Sequence, residues 1–174
     1  MTKKSFSWKR VALIFAIATV TMSTTAVAQE KGDMAAGGNL TLGSGDSYTN
    51  VGIGAKFRYN VTAPLRLEGS FTYFLKKDYL NMWDLSVNGH WLFPAGDRLT
   101  LYPLAGLGIL GWKYSYDFGW GVDGSASDSD IAFDLGGGVD FTLTGNISLN
   151  AELKYKIADH WDRLLLSAGV TYKF

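Results

Sequence analysis

Val51-Gly52-Ile53-Gly54-Ala55-Lys56-Phe57-Arg58-Tyr59-Asn60 carries an apolar side chain at every odd position and a small or polar one at every even position. A repeat of two puts successive side chains on opposite faces of an extended backbone, so this stretch is a β-strand with one oily face and one face that holds Lys56 and Arg58. The same alternation recurs over Leu65 to Tyr73, Trp83 to Phe93, Ile131 to Leu143, Ile147 to Ile157 and Leu164 to Phe174. A first strand near Ala35 to Gly43, with Leu40 and Leu42 on the apolar side, and a fifth near Leu99 to Lys113 bring the count to eight. In the fifth, Leu101, Ala105, Leu107 and Ile109 compete with Tyr102, Leu104, Leu110 and Trp112 for the apolar face, and Gly111 is read as a bulge that switches the parity.

Two folds satisfy this pattern. A soluble sandwich would bury the apolar side between two sheets, whereas a membrane barrel would turn it to lipid and enclose the charged side. Strand length, connections and aromatics separate them. Runs of roughly 10 to 12 residues exceed the usual ~5 to 6 of soluble sheets and match what a tilted strand needs to cross a bilayer. Val61 to Pro64, Pro94 to Arg98 and Thr144 to Asn146 are short turns; the alternate connections, Ser44 to Thr49, Lys76 to Tyr79, Tyr114 to Ser129 and Ala158 to Asp162, include a long one. Short turns at one rim and variable loops at the other are the periplasmic and extracellular ends of an outer-membrane barrel. With directions assigned, Tyr59, Trp91, Phe93, Phe141, Tyr172 and Phe174 fall near the periplasmic rim, and Phe71, Tyr73, Trp83, Phe133 and Tyr155 near the outer rim. Aromatic rings gather at membrane interfaces because they suit hydrocarbon on one side and headgroups on the other. The expected fold is all-β: an eight-stranded antiparallel transmembrane up-and-down β-barrel, preceded by a cleaved signal peptide.

The rest of the chain agrees. Lys3, Lys4, Lys9 and Arg10 precede an apolar run from Val11 that ends in Ala26-Val27-Ala28, so residues 1–28 read as a secretory signal and residues 29–174 as the barrel domain. Removing those four cations leaves 12 Lys+Arg against 16 Asp+Glu, a net charge of about −4. No basic field favours nucleic acid. The chain has no Cys, which excludes disulfides, thiolate nucleophiles and Cys-ligated zinc; its 21 Gly and 18% charged residues depart from ordinary soluble domains.

At the C-terminus Ser167, Gly169, Tyr172 and Phe174 form a polar-x-Gly-x-x-aromatic-x-Phe ending similar to the insertion signal of bacterial outer-membrane barrels. With Tyr102-Pro103-Leu104-Ala105-Gly106-Leu107-Gly108, the mature chain resembles the small eight-stranded OmpA/OmpX-like outer-membrane β-barrel family along essentially its whole length. The resemblance implies a monomer in the bacterial outer membrane, in contact with membrane lipids and lipopolysaccharide, and inserted by the barrel-assembly machinery.

An eight-stranded barrel has an interior that side chains fill. The polar strand faces place Lys56, Arg58, Arg66, Glu68, Asp84, Asp134, Asp140, Glu152, Lys154 and Lys156 there, with His90 and Lys173. Ions so confined must pair or be hydrated; a salt-bridged plug is expected, with an ion path as the alternative. An apolar-ligand channel of the OmpW-like kind would need an apolar lumen mouth, whereas the inward positions read mostly as Gly, Ser, Thr or charged. Catalysis is not expected. His90 lies near the periplasmic rim, and Asp84 and Ser86 on its face are six and four residues away, about 20 and 13 Å along a strand at ~3.3 Å per residue, beyond the reach of a hydrogen-bonded triad. His160, beside Asp159, Trp161 and Asp162, has no nearby Ser, which leaves a lipid A-modifying enzyme without its nucleophile. Asp117, Asp123, Asp128 and Asp130 in the third outer loop fit no EF-hand spacing and read as a solvated acidic cluster rather than a calcium site; no cofactor or metal is implied. Trp112, Tyr114, Tyr116, Phe118 and Trp120 place an aromatic at every second position past the expected membrane boundary. They read either as a continuation of the outer girdle or as an arm that captures an extracellular protein by strand addition.

Overall fold

In the computed structural model, which describes residues 30–45, 48–77, 80–117, 123–158 and 162–174, the chain is a closed antiparallel barrel. Its strands are β1 (Met34–Gly45), β2 (Tyr48–Asn60), β3 (Leu65–Lys77), β4 (Leu80–Trp91), β5 (Leu99–Asp117), β6 (Asp123–Thr142), β7 (Ile147–Ala158) and β8 (Arg163–Lys173). A two-residue piece, Phe93–Pro94, prolongs β4 past Leu92 and pairs with Leu101 and Thr100. Each strand pairs with its sequence neighbour, and β1 closes on β8 from Ala35↔Lys173 to Ser44↔Leu164. Closure leaves no sheet edge within the barrel wall, which a membrane interior requires because lipid offers unpaired backbone groups nothing to bond.

The faces alternate as the period of two dictates. Among the described residues 23 buried side chains are polar or charged and eight are hydrophobic, while Ile53, Val87, Leu153 and Leu166 lie on the outside. Such an arrangement would be untenable in water and is the stable one in lipid, where apolar surface faces acyl chains. Both girdles lie on this outer face. Phe71 and Trp83 stack with ring centroids 6.4 Å apart, Phe57 and Phe174 meet at 6.5 Å, and the Tyr155 hydroxyl donates to Asp162 Oδ2 at 3.2 Å.

Three hairpins turn tightly at the periplasmic rim. Leu65 O accepts from Val61 N at 2.9 Å, Leu99 O from Ala95 N at 2.8 Å and Ile147 O from Leu143 N at 2.9 Å. In the middle one Gly96 takes φ +147°, a backbone geometry that side chains disfavour.

β5 corrects one expectation. Its ladders with β4 and β6 run in register through Gly111, which pairs with Trp83 on one side and Ser129 on the other, so there is no bulge and no change of parity. The even positions Tyr102, Leu104 and Leu110 face inward throughout, and Leu101, Leu107 and Ile109 face outward. Gly111 serves a different purpose: a Cβ built there would lie 2.3 Å from the Trp83 ring, so its bare backbone seats the indole of the outer girdle. Gly111→Leu is expected to displace that ring and lower the urea midpoint of the detergent-folded protein by the equivalent of about 1–3 kcal/mol, the usual cost of overpacking.

The long third connection differs from a simple loop. β5 and β6 stay paired as far as Asp117↔Asp123, past Tyr114, where the pairing of β5 with β4 ends, and past Ala132, where that of β6 with β7 begins. Of the aromatic series, Trp112 is half-buried at the top of the lumen, and Tyr114 and Tyr116 lie on the projecting ladder. Phe118 and Trp120 lie outside the described residues, as do residues 1–28 and His160.

Candidate functional site

All ten lumen charges expected from the strand pattern are buried inside the barrel. They form two clusters. The lower one, toward the periplasm, is centred on Arg58, whose Nε donates to Glu68 at 2.6 Å, Nη1 to Asp140 at 3.0 Å and Nη2 to Glu152 at 2.8 Å. Lys56 Nζ donates to Glu152 at 2.9 Å and lies 3.6 Å from Glu68, while Arg66 Nη1 donates to Asp140 at 2.6 Å. These groups come from β2, β3, β6 and β7, so the bonds cross the lumen rather than follow one sheet face. Because each charge-assisted bond is short and the carboxylates are shared, the cluster binds opposite walls together.

Tyr102, from the inner face of β5, completes this cluster. Its hydroxyl donates to Glu152 at 2.9 Å, its ring stacks on His90 with centroids 4.6 Å apart, and the Arg66 guanidinium lies 4.7 Å from the ring centre. Gly138 on β6 makes room for it, since a Cβ there would fall 2.6 Å from the phenol ring. His90 is held by Arg66, whose Nη2 lies 3.0 Å from Nδ1. Ser86 donates instead to Asp84 at 2.7 Å, so His90, Ser86 and Asp84 do not assemble into a relay.

The upper cluster is smaller. Lys156 Nζ lies 2.8 Å from Asp84 Oδ2 and 2.7 Å from Asp134 Oδ1, and donates to Ser86 at 3.0 Å. Lys154 is buried between the two clusters beside a cavity of about 10 Å³ that Glu68, Ser70 and Asn39 also line. Lys173 departs from expectation. It sits half exposed at the periplasmic rim and pairs with Asp33 at 2.7 Å, because the last residues of β8 have already left the enclosed part of the lumen.

Two features of the interior were not anticipated. Arg163 is buried at the outer end, its guanidinium 4.5 Å from the centre of the Phe74 ring and hydrogen-bonded to Asn50. Parity is the signal that finds it: 163 shares its face with 165 and 167, one position ahead of the apolar alternation that opens at Leu164. Second, the inward positions are mostly polar, as expected, but an apolar group lies among them near the outer end. Phe74, Met82, Leu110 and Leu165 pack together there with Trp112 against them, and Leu92, Tyr102 and Leu104 form a second apolar group lower down.

The terminal motif divides between faces. Ser167 points inward and shares a 2.8 Å hydrogen bond with Thr41, whereas Tyr172 and Phe174 lie on the lipid face and Phe174 N donates to Met34 O at 3.0 Å.

Residues 12–174 match the family model described as the outer membrane protein beta-barrel domain. The chain belongs to that family. It is 28% identical over 130 residues to outer membrane protein X of Enterobacter cloacae, covering 71% of this chain and 74% of the relative. Its fold is that of the attachment invasion locus protein Ail of Yersinia pestis (TM-score 0.56, 23% identity, 83% of this chain and 99% of the other). Neisserial surface protein A shares it as well (TM-score 0.61, 20% identity, 82% and 96%). Membership places this barrel in the outer membrane.

Proposed function

We propose that this outer-membrane barrel is non-catalytic, keeps its lumen closed, strengthens the envelope and engages an extracellular protein through the β5–β6 arm. The observation that carries the surface role is the free edge of β6. Among the described residues Asp123 to Ser129 pair with β5, from Asp117↔Asp123 to Gly111↔Ser129, and the pairing of β6 with β7 begins only at Ala132. An unpaired edge projecting into water is a template for strand addition, in which backbone hydrogen bonds supply affinity and side chains supply selectivity. A closed lumen is supported by the side chains that fill it, the cross-barrel ion pairs below and the apolar group of Phe74, Met82, Leu110 and Leu165 above. The apolar belt between the girdles suits membrane lipid and lipopolysaccharide, and the Tyr172–Phe174 end suits capture by the assembly machinery during insertion.

Deleting Tyr114 to Ser129 and joining the shortened strands by a tight turn is expected to leave a heat-modifiable, folded barrel and to abolish binding of expressing cells to immobilised host-surface protein. Undiminished binding by that variant would defeat the surface role. The alternatives have separate readouts: stepwise planar-bilayer currents through the unmodified protein would favour a channel, and altered lipid A by mass spectrometry would favour an enzyme.

A further inference from the structure

The lumen is not uniformly plugged. At the periplasmic end a vestibule of about 300 Å³ opens between the turns, with Arg58, Arg66 and Asp140 on its floor. Above that floor the polar groups are continuous: Arg58 to Glu152, Glu152 to Lys56, Lys56 to Glu68, then the 10 Å³ cavity beside Lys154. That volume is near what one water molecule needs. Glu68 Oε1, Ser70 Oγ and Asn39 Oδ1 are buried without a protein partner, and all three residues line the cavity. Buried oxygens of this kind are ordinarily satisfied by water.

From the cavity the polar groups run on through Asp84, which also lines it, to Lys156 and Asp134. Phe74 and Leu165 close the cavity on its outer side, and with Met82 and Leu110 they form one apolar cluster. Phe74, Met82 and Leu110 come from the adjacent strands β3, β4 and β5, and Leu165 from β8, four strands round the ring from β4. Contact among them therefore crosses the whole lumen. Above the layer Arg163 lies over Phe74 and donates to Met82 Sδ at 3.6 Å.

We propose that this apolar layer, and not the ion-pair network beneath it, is the permeability seal, so that the protein is a channel held shut by a dry gate over a hydrated polar path. An ion moving among paired charges can exchange one partner for another, but in an apolar constriction it finds none, and a narrow apolar section expels water. The inference rests on the closed-lumen reading above and goes beyond it by saying where closure resides.

Conductance of the purified full-length barrel in planar bilayers, with heat-modifiable migration as the check of folding, tests it. The unmodified protein is expected to pass no stepwise current, Leu165→Ser combined with Met82→Ser to open steps at least tenfold above baseline noise, and Glu152→Gln to stay silent. Should the double variant not fold, Leu165→Ala carries the same expectation. Silent, folded gate variants overturn the proposal, as does a Glu152→Gln protein that conducts as strongly as they do; current through the unmodified protein defeats the closed-lumen reading itself.

Discussion

Arg58→Ala is expected to be the most damaging single substitution in the lumen. The guanidinium serves Glu68, Asp140 and Glu152 at once and lies 3.2 Å from the Tyr102 hydroxyl. Its removal leaves three carboxylates in one enclosed section, with Lys56 and Arg66 as the remaining cations of the cluster. A buried charge deprived of its partner typically costs about 3–5 kcal/mol, far more than the net worth of the intact pair. The measurement is the urea midpoint of the barrel folded in detergent or liposomes. A double-mutant cycle with Glu68→Gln should recover part of the loss, because one of the stranded carboxylates is then neutral. A loss below about 1 kcal/mol would mean that water replaces the guanidinium without penalty, and the cross-lumen pairs would not be what binds the walls.

The second large effect is on the opposite face. Val87 lies midway along β4 with 59% of its surface exposed, between Gly69 of β3 and Leu107 of β5. Val87→Arg is expected to lower folding stability in phospholipid vesicles by about 2–4 kcal/mol, the cost of a cation at the bilayer midplane. Ile131→Arg, beside the Ala132↔Ala158 pair at the outer rim of the barrel wall, should lose only about 0–1 kcal/mol because its guanidinium can reach the headgroup layer. The contrast between two exposed apolar positions is the diagnostic. In a water-soluble protein both substitutions would be close to neutral, as surface changes usually are.

Comparing pattern with structure, the two faces were legible almost everywhere because alternation is local. Lys56 and Arg58 point inward for the same reason that Phe57 points outward, whatever the rest of the chain does. β5 resisted for an equally definite reason. Both of its faces are apolar, Leu107 and Ile109 against lipid and Leu104 and Leu110 against the lumen, so its pattern held no contrast to read. Gly111 misled in the same strand: glycine inside a strand signals either a bulge or a close approach, and only the position of Trp83 distinguishes them. The arm was legible as an aromatic repeat, but its pairing down to Asp117↔Asp123 was not, since the same spacing suits a girdle.

The amino-acid order alone determined which side chains meet lipid and which are enclosed, how many strands there are, and which way each runs, because these follow from backbone geometry and turn placement over a few residues. Tertiary structure decided who meets whom across the lumen: that Arg58 of β2 reaches Glu152 of β7, that Arg163 covers Phe74, and that Leu165 joins the cluster of Phe74, Met82 and Leu110. Those meetings depend on the stagger with which the hydrogen-bonded sheet closes on itself. Stagger is a property of the ring as a whole, and no single strand carries it.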